Sequence, residues 1–148
     1  MVADPEDRRL VAMARDGGAC KRLAAVPGIG PVIATALVAA VGDAKAFTSG
    51  RHLAAWLGLV PRQRSSGGKE RLLGISKRGD GYLRRQLMHG ARALVAVSKG
   101  REGGLWSWIN GLLARRPFNV VVAAVANKLA RIAWALLSRG EDYRAATA

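Results

Sequence analysis

A chain of 148 residues, half of them apolar, suits one domain with a packed core that buries roughly 68–70% of its unfolded surface, and it argues against disorder. Its 24 Lys and Arg against 10 Asp and Glu leave a net +14, an excess that repels itself and makes most sense opposite a polyanion, although a merely soluble basic protein shares it. Cys20 stands alone, which excludes an internal disulfide and a cysteine-based zinc site; it reads as a small buried hydrophobe.

In chain order, residues 6–25 read as a helix, with Leu10, Met13 and Ala14 at helical spacing and Gly17-Gly18 weakening its middle. Asp4, Glu6 and Asp7 speak against a signal peptide. Val26–Pro31 is a tight turn, because Pro presets backbone angles and Gly tolerates left-handed ones. Pro31 suits the first turn of a helix running to about Val41 and ended by Gly42-Asp43. Its apolar run, Val32–Val41, contains Thr35 and is too short to cross a bilayer.

Thr48 or Ser49 caps a third helix holding Leu53, Trp56 and Leu57, which Gly58 closes. Periodicity then lapses over residues 60–79, which read as a basic loop or a short β-hairpin around Arg71 to Ile75. Asp80 caps the next helix, with Leu83, Leu87, Ala91 and Leu94 toward the core and Arg85, His89 and Arg92 on another face. A Trp-bearing helix spans 101–115. The last helix starts near Pro117, buries Val121, Val125, Leu129, Ile132 and Leu136, and ends at Gly140; its apolar stretch is interrupted by Asn127, Lys128 and Arg131. The expected fold is mainly α: a helix-hairpin-helix followed by a helical bundle. The expected protein is soluble, with no membrane partner, cytoplasmic and nucleoid-associated.

Charge concentrates in mid-chain. Residues 51–92 hold ten basic and two acidic residues, net +8, against +1 for residues 1–50 and +5 for residues 93–148. Two constellations could use it. The spacing Leu23, Val26, Gly28, Ile29, Gly30, then Ala34 and Leu37, resembles a helix-hairpin-helix motif, in which Gly28 and Gly30 let backbone N–H groups approach a phosphate. Such contacts position without reading bases, and the same glycines equally fit an ordinary helix–helix turn. The second is Pro61 through Lys69, where Ser65 and Ser66 sit beside two glycines among Arg62, Arg64, Lys69 and Arg71. A serine attacking a phosphodiester needs cations around the phosphoryl oxygens and slender neighbours. A flexible Gly/Ser loop with basic edges has the same composition.

Further runs extend this pattern. Pro27–Gly30, Ala54–Pro61, Ser65–Lys69, Gly74–Asp80, Leu83-Arg84 and Asn127–Arg131 together resemble the C-terminal domain of the IS-one-ten (IS-one-one-one-one-like) family of insertion-sequence transposases, bridge-RNA-guided recombinases. The likeness covers nearly the whole chain and is far more specific than one glycine turn. It implies that Ser66, with Ser65 as the neighbouring alternative, is the nucleophile forming a phosphoserine link to DNA. It further implies phosphate contact by Arg62, Arg64, Lys69, Lys77, Arg78 and Arg84, with Arg85 alongside, and partners comprising DNA, a guide RNA and further copies of the chain.

Family members also carry an N-terminal RuvC-like domain with four metal-binding carboxylates. The ten acidic residues here are scattered without metal-ligand spacing, so the resemblance places Mg2+ in that other domain and no metal or cofactor in this chain. Residues 1–25 then read as the remnant of a linking coiled-coil helix and 26–148 as the transposase C-terminal domain, with the helix-hairpin-helix at 26–41 and the basic serine segment at 61–92. Such a truncated chain is expected not to complete recombination alone. Two other readings stay open: a non-catalytic helix-hairpin-helix nucleic-acid-binding protein, and an oligomerisation domain with its tryptophans at an interface. Trp56, Trp106, Trp108 and Trp134 fit packing better than base stacking, Tyr82 is the better stacking candidate, and neither His52 nor His89 has a carboxylate placed to orient it as a base.

Overall fold

The structure, a computed structural model, describes residues 18–66, 69–75 and 81–144, the strands between 61 and 75 through their backbone. It is mainly helical. Six helices appear in chain order: α1 (Gly18–Ala24), α2 (Pro31–Val41), α3 (Gly50–Trp56), α4 (Gly81–Val97), α5 (Gly104–Leu113) and α6 (Phe118–Arg139), with a 3-10 turn at Ala44–Ala46. Strands β1 (Pro61–Ser66) and β2 (Lys69–Ile75) form an antiparallel pair between α3 and α4. Pairing therefore involves Pro61–Ser66 as well as Lys69–Ile75, not only the stretch around Arg71–Ile75. The expected helical residues 6–17, and Asp80 as a cap, lie outside the described residues.

Local chemistry explains the boundaries. Pro31 opens α2 behind an extended Gly30, and Gly42, with φ of 62°, closes it. Ser49, rather than Thr48, caps α3: its hydroxyl accepts the His52 amide at 3.1 Å, while the Thr48 amide donates to His52 Nδ1 at 3.1 Å. The helix foreseen over 101–115 is trimmed to α5, because Gly103 turns the chain with φ of 85° and its N–H bonds the Ser107 hydroxyl at 2.9 Å. Asn110 reaches back to the carbonyls of Ser98 and Arg101, at 2.9 and 3.2 Å, and pins the α4–α5 connection.

α6 is the hub. It packs on α1, α3, α4 and α5 and on the 3-10 turn, where the Trp134 indole donates to the Ala44 carbonyl at 3.0 Å. Leu83, Leu87, Ala91 and Leu94 of α4 and Val121, Val125, Leu129 and Leu136 of α6 are buried as their spacing requires. Ile132 is only half-buried; Ala133 takes the inward position instead, because α6 is covered from several sides and its apolar stripe is broader than one seam. By length and composition α6 could also cross a membrane, but here Leu129 and its neighbours fill the middle of the core.

Two backbone crossings depend on glycine. A Cβ on Gly90, in the middle of α4, would run into the carbonyl oxygen of Gly28, and Gly28 itself holds φ of 84° against Leu94. Likewise, Gly50 lies against the backbone and side-chain stem of Arg131, bringing α3 onto α6. At both places the missing side chain sets the approach distance.

Candidate nucleic-acid interface

The hairpin grows out of a tightly held exit from α3. Leu57 and Leu59 are buried, Gly58 turns the chain with φ of 76°, and the Asn127 side-chain amide on α6 donates to the Leu59 carbonyl at 3.0 Å. That bond joins residues 68 positions apart and fixes where β1 leaves the body. An unpaired carbonyl there would cost about 1–3 kcal/mol, so one amide suffices to hold the junction.

Beyond it, the ladder sets Pro61 opposite Ile75, Gln63 opposite Leu72, Arg64 opposite Arg71, Ser65 opposite Glu70 and Ser66 opposite Lys69, with an irregularity between Pro61 and Gln63 that includes Arg62. Ser66 and Lys69 thus form the last rung before the two-residue connection. Four cations, Arg62, Arg64, Lys69 and Arg71, face one acid, Glu70, within this ribbon, a net of +3. Lys77 and Arg78 lie outside the described residues.

The polypeptide re-enters the body at α4. There the guanidinium groups of Arg84 and Arg85 fold back beside Gly81, within 3.5 and 3.3 Å of where its Cβ would stand. Arg84 is half-buried and engaged with a neighbour, whereas Arg85, His89 and Arg92 are exposed along one face of α4. Hairpin and Arg84-Arg85 are thus neighbours along the chain. Gly28 and Gly30 are not: the Gly28 turn meets α4 at Gly90, nine residues beyond Gly81, or about 14 Å at 1.5 Å per residue. Gly28 faces inward against α4, while a Cβ on Gly30 would meet nothing within 4 Å.

Among the aromatic candidates, Trp106, Trp108 and Trp134 are half-buried against the core, and Trp56 is 39% exposed, edge-on to Phe47. Tyr82 is 41% exposed. The Lys128 ammonium sits over the Trp108 ring at 4.6 Å. His52 is exposed and accepts a backbone hydrogen bond, which accounts for it structurally. Among the described residues no group of three or more His, Cys, Asp or Glu converges, so these residues do not fit a divalent ion.

Two features were not foreseen from the sequence: the Asn127 mooring and the Gly28–Gly90 crossing. From Gly81 to Arg139 the chain holds ten Lys and Arg but a single acidic residue, Glu102. A glycine inside an otherwise periodic helix was the available signal for the crossing.

The described residues thus combine a basic helical body with a strand pair that carries two serines among four cations. Residues 20–103 match the model of the transposase IS116/IS110/IS902 family, and the chain belongs to that family. It is 55% identical over 138 residues to a probable family 20 transposase of Pseudomonas aeruginosa, covering 93% of this chain and 41% of that protein. The transposase for insertion sequence element IS1111A of Coxiella burnetii is 47% identical over 97% of the chain and 39% of its own length. The transposase for IS1328 of Yersinia enterocolitica is 46% identical over 93% and 41%. The chain spans about two fifths of these relatives.

Proposed function

We propose that this chain is the DNA-gripping C-terminal module of a transposase and that Ser66, with Ser65 as the alternative, supplies the nucleophile for strand cleavage and transfer. The observation that carries the proposal is the register of the ribbon: Ser66 occupies its last rung opposite Lys69, and Arg64 stands opposite Arg71. Like charges directly across an antiparallel pair destabilise it in water, and a polyanion between them removes that cost. A serine at the end of such a ribbon meets the phosphodiester that its cations gather. Attack forms the Oγ–P bond and breaks the P–O bond to the leaving strand, whose freed oxygen ends with the serine's proton; the flanking cations stabilise charge on the phosphoryl oxygens.

In this reading Arg62, Arg64, Lys69, Lys77, Arg78, Arg84 and Arg85 hold the backbone, and Gly28 and Gly30 form a second phosphate contact of helix-hairpin-helix type. A guide RNA chooses the sequence, the chain works as a homo-oligomer, and Mg2+ belongs to the carboxylates of the RuvC-like domain and not to this chain. The Gly28–Gly90 crossing favours one narrower variant, in which that turn serves packing alone and the ribbon carries the grip.

The test fuses this chain to the unmatched part of a relative and compares Ser66→Ala with the parent on a donor DNA. Lost strand transfer with retained DNA binding, and a covalent adduct mapped to Ser66 by mass spectrometry in the parent, is the expected result. Undiminished transfer by Ser66→Ala rejects the nucleophile. Binding itself is read from salt: neutralising about five phosphates gives a log–log slope of about −4 to −5, and a flat response leaves an oligomerisation domain.

A further inference from the structure

We infer that the junction of α4 with the start of α6 is a further nucleic-acid surface that takes unpaired nucleotides. The inference rests on the reading that this chain grips nucleic acid, and it names what this part of the body binds.

At this junction the Arg92 guanidinium lies over the Phe118 ring, 5.7 Å from its centroid, and donates to the Asn119 side-chain oxygen at 3.3 Å. The hydrogen bond holds the guanidinium over the ring. Yet Phe118 stays 42% exposed and Arg92 is exposed, so a flat cationic and aromatic surface faces solvent instead of closing on the core. Arg115 and Arg116, both exposed, immediately precede Pro117 and Phe118. The surrounding helices, α4 and α6, contain no acidic residue, so nothing on them neutralises these cations. An exposed ring with a guanidinium over it, and two exposed cations just before it in the chain, offers stacking for a base and charge for the adjoining phosphates. Every base has a stackable face, whereas a paired base in a duplex hides it. The chemistry therefore selects single strands or loops over duplex. A protein partner would need acidic side chains to meet three arginines, and such pairs bring less to a complex than the continuous charge of a nucleic-acid backbone.

The experiment measures binding of the whole chain by fluorescence anisotropy to a labelled oligodeoxythymidylate and to a mixed-sequence duplex of equal length. Phe118→Ala is expected to weaken the single strand about tenfold and the duplex less than twofold, with Phe118→Trp restoring the single-strand affinity. R115A/R116A is expected to make the single-strand salt slope shallower by about 1.4. Thermal melts check that each variant folds; because Arg115 and Arg116 sit in an exposed turn, that double variant carries the test if Phe118→Ala does not fold. Equal losses on both probes, or none on the single strand, overturn the inference while leaving the ribbon's role intact. A change in sedimentation of R115A/R116A without a change in DNA binding also overturns it, in favour of a protein contact. Failure of the parent chain to bind either probe removes both readings together.

Discussion

The helical body and the ribbon at 61–75 are built on opposite terms. In the body, apolar residues recur at helical spacing, every helix contributes buried side chains, and α6 is surrounded. In the ribbon, β1 reads Pro-Arg-Gln-Arg-Ser-Ser and has no aliphatic side chain apart from its proline ring; a backbone ladder joins it to β2, and one amide moors the junction from which it leaves. An isolated two-stranded ribbon is marginal in water, so this one is stabilised by its attachment. The contrast teaches that, on the proposed function, stability and affinity are separately encoded: the body can lose stability with little change in charge, and the ribbon can lose charge with little change in stability.

Substitutions break or sharpen that separation. Leu129→Ala, at the fully buried centre of α6, is expected to cost about 2–5 kcal/mol of global stability by chemical denaturation, with the salt slope for DNA unchanged while the chain remains folded. Gly90→Ala drives a methyl into the Gly28 carbonyl and should cost about 1–3 kcal/mol, moving helix and turn apart in the amide NMR spectrum. Asn127→Ala strikes the joint between the regions. We expect about 1–2 kcal/mol, with hydrogen exchange accelerated first at residues 59–75 and not in α4. Arg64→Ala should change stability by no more than about 0.5 kcal/mol, in the stabilising direction because Arg71 loses a like-charged neighbour, while the DNA salt slope becomes shallower by about 0.9. Equal effects of Arg64→Ala and Leu129→Ala on melting would abolish the distinction.

The body was legible because its signals are local. Pro31 and Gly42 bracket α2, Ser49 lies one turn before Leu53, and Leu83, Leu87, Ala91 and Leu94 repeat at the helical period. Ile132 against Ala133 was a choice that periodicity alone could not make, since both sit near the edge of a stripe whose width depends on how many neighbours α6 has. The ribbon was half legible. Leu72, Leu73 and Ile75 gave β2 an apolar signature, whereas β1 offers no alternation, because its pairing is made by peptide groups that every sequence possesses. The serines and cations could be named from composition and resemblance, but not the rung on which each stands. Asn127 gave no local sign of its partner, since Leu59 lies across the whole length of the ribbon, α4 and α5.

The reach of that single amide has a consequence for how the protein is made. A ribosome releases the chain from its N-terminus, so the ribbon emerges well before Asn127, and α6, on which α1, α3, α4 and α5 pack, follows all of them. Until α6 clears the exit tunnel, the Leu59 carbonyl at the foot of the ribbon lacks its Asn127 partner. Translation halted ahead of Asn127 would leave it so permanently.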